Sequence, residues 1–181
     1  AAAAHAIAAG LPEDAVVVEE AITSGHPLRS VLRLDRPRSY VHTVGGGLGW
    51  GIGAAIGTRL GDPSRPVVAV IGDGSAMFGV QGLWTATRHD VPVTFVIMNN
   101  GEYRTLKETL DSGKSRSTEL GRYVGLDLAP PTLDWSGAGT LFSVPYVRAE
   151  SSVHLRDLIA TPRTESLIID VPIHSHRPSS A

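Results

Sequence analysis

The chain has 181 residues, a net charge of −2, 42% hydrophobic and 19% charged residues, and no cysteine, which fits one domain able to bury about 70% of its unfolded surface. So even a charge balance argues against a nucleic-acid or anionic-membrane surface, and without cysteine there are no disulfides, thiolate catalysis or Cys-ligated zinc. No run approaches the ~20 apolar residues of a membrane span, so neither membrane nor nucleic acid is expected as a partner, and the expected compartment is the cytoplasm.

AAAAHAIAAG (1–10) reads as an alanine-rich helix stopped at Gly10. It lacks the basic segment of a signal peptide. Because the chain starts at Ala and not Met, it is expected to be a fragment or one subunit of a split enzyme. AVVVE (15–19) predicts a strand. Thr23 or Ser24 is expected to cap a following helix, with Pro27 near its first turn. SYVHTV (39–44) is a short strand, and 45–60 is a glycine turn opening a small-residue helix. PVVAVIGDG (66–74) is a strand plus turn, 75–90 one helix with Ser75 as N-cap, and PVTFVIMNN (92–100) another buried strand. Residues 101–131, rich in charge and glycine, suit a mobile loop with helical parts. A helix near 133–142, a strand at 145–148, a helix at 151–160 and a strand at 166–171 follow. The polar tail (173–181) is expected to fray.

Strands alternating with helices imply an α/β fold, a parallel sheet with helices on both faces. The continuous runs VVAVI and VTFVIM suit strands buried on both faces. Ligands of such sheets bind beyond the carboxyl ends of the strands, where Gly72-Asp73-Gly74 and Asn99-Asn100-Gly101 fall. A lone Gly-Asp-Gly or Asn-Asn-Gly is usually a turn. Here each follows a strong apolar strand, and Asp73 and Asn100 stand 27 positions apart, the length of one strand–helix–strand unit. Free N–H groups at the start of a helix, Gly74 and the Ser75 hydroxyl suit a phosphate. Asp73 would repel that phosphate unless a cation lay between them. Mg²⁺ takes oxygen ligands and bridges protein groups to phosphates, so Asp73, the Asn100 amide oxygen and the Glu102 carbonyl form a candidate metal set. The seven histidines are scattered. Only His174-x-His176 is closely spaced, and no physiological metal site is expected in that tail.

Gly72-Asp73-Gly74, 24 residues and Asn99-Asn100 together resemble the GDG…NN motif of thiamine-diphosphate enzymes. EEAITS (19–24), GGGLGW (45–50), VAVIGDGS (68–75), GLWTA (82–86), FVIMNNGEY (95–103) and GLDL (125–128) extend the likeness. From about residue 1 to 172 the chain resembles the C-terminal diphosphate-binding domain of the thiamine-diphosphate-dependent 2-keto acid decarboxylases, most of all those of the benzoylformate decarboxylase kind. The resemblance implies a thiamine-diphosphate-binding fold over 1–172, with thiamine diphosphate and Mg²⁺ as cofactors. It implies that Asp73, Asn100 and the Glu102 carbonyl hold the metal and that Gly72, Gly74, Ser75 and Thr23 lie at the diphosphate. It places Leu48 under the bent cofactor, the Gly46 carbonyl at its amino group, and Tyr103 on the loop after the metal. Ile22 stands where that family has threonine. Thr105 and Thr109 stand where it has a small apolar residue and an aromatic, so a more polar substrate pocket is expected. Arg104 and Lys107 read as solvated charges.

The family's activating glutamate belongs to a separate pyrimidine-binding domain, so no catalytic acid is expected in this chain. Glu19 and Glu20 are not assigned that role. The resemblance implies a 2-keto acid substrate and a pyrimidine-binding domain from the same enzyme or a partner subunit, in a homodimer or homotetramer. A carboligase of the acetolactate synthase kind is the nearest rival. A non-catalytic nucleotide- or phosphate-binding module is a further one, though no Walker glycine motif occurs.

Overall fold

The computed structural model describes residues 1–33 and 35–173. The apolar runs form a six-stranded sheet: β1 (Val16–Glu20), β2 (Tyr40–His42), β3 (Val67–Gly72), β4 (Thr94–Asn99), β5 (Tyr146–Arg148) and β6 (Leu167–Pro172). The order is β2-β1-β3-β4-β6-β5, and every pairing is parallel. The four central strands are β-branched and buried along nearly their whole length, as a sheet covered on both faces requires.

Period-2 alternation splits the core in two. Val18, Ala69, Ile71, Phe95 and Ile97 pack under α3 (Gly51–Gly61), α5 (Gly82–Arg88) and α8 (Trp135–Phe142). Val17, Val68, Val70, Val96 and Ile169 pack under α1 (Ala2–Gly10), α2 (Ile22–Arg29) and α9 (Ser152–Ala160). These observations match the expected fold class, a parallel α/β sheet with helices on both faces.

Three local expectations need correction. The helix expected over 75–90 is two, α4 (Asp73–Met77) and α5, separated by a turn at 78–81. The chain turns because Gly79 sits against the Gly49 carbonyl: an added Cβ would lie 2.5 Å from that oxygen. Ser75 is therefore not the N-cap. Gly72 caps α4 from an extended conformation and Asp73 opens its first turn. Thr23 and Ser24 lie inside α2, whose N-cap is Ala21, and Pro27 is within the helix rather than at its first turn. The helical parts expected within 101–131 are α6 (Arg104–Ser112) and α7 (Arg116–Leu120), and this segment is tied back on itself: Tyr103 N–H donates to the Leu126 carbonyl at 2.8 Å and Leu128 N–H to the Gly101 carbonyl at 2.7 Å. Among the described residues no helix is long and apolar enough to cross a membrane. His174 and His176 lie outside the described residues.

Candidate functional site

The strand order reverses its winding at β1. From β1 the chain moves outward to β2, then returns to the other side of β1 as β3. Connections leaving β1 and β3 therefore diverge, and the crevice that opens at their carboxyl ends is the usual ligand site of such sheets. A cleft of about 220 Å³ lies there, and Thr23, Gly46, Leu48, Gly72, Asp73, Gly74, Ser75, Asn100, Glu102 and Tyr103 all line it. The residues expected to hold the metal and the diphosphate are thus brought to one place, while Asn99 of the motif, Lys107 and Thr109 are not among those lining it.

Asp73 and Asn100 meet because β3 and β4 are neighbours, with Gly72 beside Met98. Asp73 is 2% exposed. Its carboxylate accepts the Gly101 N–H at 2.7 Å and the Gly74 N–H at 2.9 Å. Burial pushes the Asp73 carboxyl above its ordinary range, against the opposing pull of those N–H groups. Asn99 and Asn100 point different ways: Asn99 donates to Asp170 on β6 at 3.0 Å, while Asn100 lines the cleft. The Asn100 side-chain oxygen accepts the Glu102 N–H at 3.0 Å. Glu102 bridges to Asp127, and the bonds of that bridge are made by Gly101 and Tyr103. The N–H and carbonyl of Glu102 itself are thereby turned to the opposite edge of the segment, the edge of Asn100.

At Gly74 the Tyr103 ring comes close to the backbone at the start of α4: a Cβ there would stand 2.6 Å from it, so a larger residue would push the ring aside. The α4 helix is only five residues long. Its capacity for an anion rests on the Ser75 backbone N–H and hydroxyl more than on a helix dipole, since the Gly74 N–H is given to Asp73. Across the cleft, the Thr23 and Thr105 hydroxyls are hydrogen-bonded at 2.8 Å. The loop carrying Gly46 and Leu48 is open. Gly46 has φ +69°, Leu48 is 37% exposed, and a Cβ on Gly45, Gly46 or Gly47 would meet nothing within 4 Å.

Arg104 and Lys107 are not the solvated charges expected. Lys107 is 5% exposed, ion-paired with Glu102 and Asp127 and set over the Tyr123 ring. Arg104 pairs with Glu102 at 3.1 Å and Glu108 at 3.0 Å. Burial alone would raise the Glu102 carboxyl, but the bonds and charges of Lys107 and Arg104 outweigh it and hold it below the ordinary range. Burial alone would lower the Lys107 ammonium, but Asp127 and Glu102 outweigh it and raise it. Sequence reasoning missed this cluster because a 102/107 pair does not follow the i,i+4 spacing of a helix-surface ion pair.

Glu20 was also passed over. At the end of β1 it is 2% exposed and accepts N–H bonds from Gly51, at 2.7 Å, and from Gly49. The available signal was its place: the second of two acids ending a buried strand, in a chain whose glycines gather at one edge. Among the described residues no group of three or more His, Cys, Asp or Glu side chains converges. A cation in this cleft would therefore rest on one carboxylate, an amide oxygen and backbone carbonyls, a hard-oxygen set suited to Mg²⁺.

Fold and cleft together define a parallel α/β domain that presents a buried acid, an amide and a glycine-opened helix start at one strand edge. The family described as "Thiamine pyrophosphate enzyme, C-terminal TPP binding domain" matches residues 24–165, and this chain belongs to it. Benzoylformate decarboxylase of Pseudomonas aeruginosa is 32% identical over 169 residues, covering 92% of this chain and 31% of that protein. The acetolactate synthase large subunit of Haemophilus influenzae is 32% identical over 113 residues, 54% of this chain and 20% of that one. The solved structure of the thiamine diphosphate-dependent 4-hydroxybenzoylformate decarboxylase of Rhodococcus jostii RHA1 superposes with a TM-score of 0.86 at 29% identity, over 96% of this chain and 32% of that one. The chain thus spans less than a third of the length of each of these relatives.

Proposed function

We propose that residues 1–172 hold Mg²⁺ and the diphosphate of thiamine diphosphate for a 2-keto acid decarboxylase of the benzoylformate decarboxylase kind. The observation that carries this reading is Asp73: a buried carboxylate whose hydrogen bonds come from backbone N–H groups, at the floor of the cleft and beside Asn100. Burying such a charge is costly without a compensating ion, and a divalent cation supplies one. Asp73, the Asn100 oxygen and the Glu102 carbonyl would hold the metal. The Ser75 N–H and hydroxyl and Thr23 would hold the phosphates beside Gly72, and Gly74, without a side chain, would let them approach the backbone. Leu48 and the Gly46 carbonyl would support the far end of the cofactor, and Tyr103 would wall the cleft. When bound, thiamine diphosphate supplies a carbon nucleophile and an electron sink for cleavage next to a carbonyl. The chain's own part is to bind, orient and shield.

The rest of the enzyme is proposed on the same footing: a pyrimidine-binding domain, from the same protein or a partner subunit, within a homodimer or homotetramer. The polar Thr23–Thr105 pair and the match to an acetolactate synthase support a carboligase as the second reading. Substrate screening of the complete enzyme separates the two. The test of the binding assignment is calorimetry with thiamine diphosphate, with and without Mg²⁺. Wild type should bind only with the metal. Asp73→Asn should lose more than the roughly 10–100-fold that removing an outer partner of a metal ligand costs. Unchanged affinity in a folded Asp73→Asn chain overturns the metal assignment.

A further inference from the structure

The loop over 43–50 delivers Gly46 and Leu48 to the cleft, yet its tip is unsupported. Val44 is fully exposed and Gly45–Gly47 have open space where a Cβ would be. Its position is set from its carboxyl end. There Gly49, at φ +92°, lies against Phe78 and would place a Cβ 2.7 Å from the Phe78 Cβ. There too α3 begins without a side-chain cap of its own, since the N-cap residue is Trp50. The missing cap comes from the neighbouring strand. The Glu20 carboxylate accepts the Gly51 N–H at 2.7 Å and the Gly49 N–H. A Cβ on Gly51 would fall 2.6 Å from the Glu20 Oε2, so the carboxylate rests directly on the first turn of α3. Burial pushes the Glu20 carboxyl above its ordinary range, against the pull of the Gly51, Gly49 and Trp50 N–H groups. A carboxylate at a helix start also meets the favourable end of the helix dipole. Three residues beyond Glu20, the same segment carries Thr23 on the other wall of the cleft.

We propose that Glu20 is a positioning residue: by clamping the start of α3 it fixes the Gly46–Leu48 loop relative to the strand end that carries Thr23, and so sets the half of the cleft that receives the thiamine rings rather than the half that receives the phosphates. The inference rests on the cofactor reading above. It predicts a split between two ligands. Glu20→Gln keeps the shape but only one acceptor, so it loses one of the two N–H bonds. Its affinity for Mg²⁺–thiamine diphosphate should fall about tenfold or more, the worth of one hydrogen bond to a charged group. Its affinity for Mg²⁺ with inorganic diphosphate should stay within about twofold, because Asp73, Gly74 and Ser75 are untouched. Hydrogen exchange at the Gly49 and Gly51 amides of the ligand-free chain should speed up by a similar factor, with the Gly74 and Gly101 amides unchanged. Gly51→Ala, which pushes the carboxylate away from the other side, should reproduce the pattern and serves if Glu20→Gln does not fold. An equal loss of both ligands, or unchanged exchange at Gly49 and Gly51 in both variants, overturns the positioning role. Failure of the wild-type chain to bind thiamine diphosphate overturns the cofactor reading and the positioning role with it, while the exchange data still decide whether the clamp exists.

Discussion

Lys107 shows how one residue can carry a local structure. Its ammonium is buried between Glu102 and Asp127 and joins the segment after β4 to the chain returning through Asp127. Removing one partner from a buried pair costs about 3–5 kcal/mol, because a charge is left behind without a partner. Here Asp127 is mostly exposed and returns to water, and Arg104 remains on Glu102. Lys107→Met should therefore cost about 3 kcal/mol, the low end of that range. The cost should register in the exchange protection of the Tyr103 and Leu128 amides, which bond across that junction. A loss under about 0.5 kcal/mol would put Lys107 among ordinary surface pairs. At this scale the site was legible where chemistry forced the residue type. An acid between glycines at a strand end, with two amides one unit later, marks Asp73 and Asn100 in the sequence itself. Lys107 and Glu20 were not legible, because their partners come from segments 20 and 31 residues away in sequence and no local spacing announces such a meeting.

At the level of elements, the strands were plain in the sequence and the helices less so. VVVEE, VVAVIG and TFVIMN have one reading, since a continuous β-branched run between glycines and prolines is a buried strand. The 75–90 stretch carries Gly79, Val80 and Gly82 where it divides, weak helix formers, and at Gly79 the backbone passes against the Gly49 carbonyl. Glycines within helices likewise differ by what they touch. Gly10 ends α1 against α9, where an added Cβ would stand 2.5 Å from the Arg156 carbonyl oxygen and 3.1 Å from the Ile159 Cβ. Backbone cannot yield as a flexible side chain does, so Gly10→Ala should cost about 1–3 kcal/mol. Gly57, within α3, is exposed and meets nothing within 4 Å. Gly57→Ala should gain about 0.5–1 kcal/mol from the better helix former. At this chain length 1 kcal/mol moves the midpoint by about 2–4 °C, so thermal scans should show opposite shifts for the same substitution on two helices. Shifts in the same direction would contradict the packing described at one of the two positions.

The molecule as a whole offers a cleft with its acids already committed. Parallel strands bring Glu19, Glu20, Asp73 and Glu102 to one edge of the sheet, and each is held. Glu19 accepts the Ala21 N–H at 2.8 Å and the Tyr40 hydroxyl at 2.6 Å, and pairs with Arg29. Glu20 is bound to the start of α3, Asp73 to the Gly101 and Gly74 N–H groups, and Glu102 to Lys107 and Arg104. A group that transfers a proton must stand at hydrogen-bond distance from the reacting atom, and geometry decides before pKa does. None of these carboxylates reaches the far end of a ligand whose phosphates lie at Asp73 without giving up buried partners. The loop that would face that end carries glycines, Val44 and Leu48 and no acid. Missing proton transfer costs about 10²–10⁴-fold in rate, and an open cleft adds exposure to water. The 181-residue chain, purified and saturated with Mg²⁺ and thiamine diphosphate, should therefore release no CO₂ from benzoylformate or pyruvate above the rate of the free cofactor. Adding the pyrimidine-binding part of the enzyme, on the same or a second polypeptide, should bring turnover. Robust turnover by the chain alone would mean that one of Glu19, Glu20 or Glu102 leaves its partners to act as the acid, and Glu→Gln substitution at each in turn would identify it.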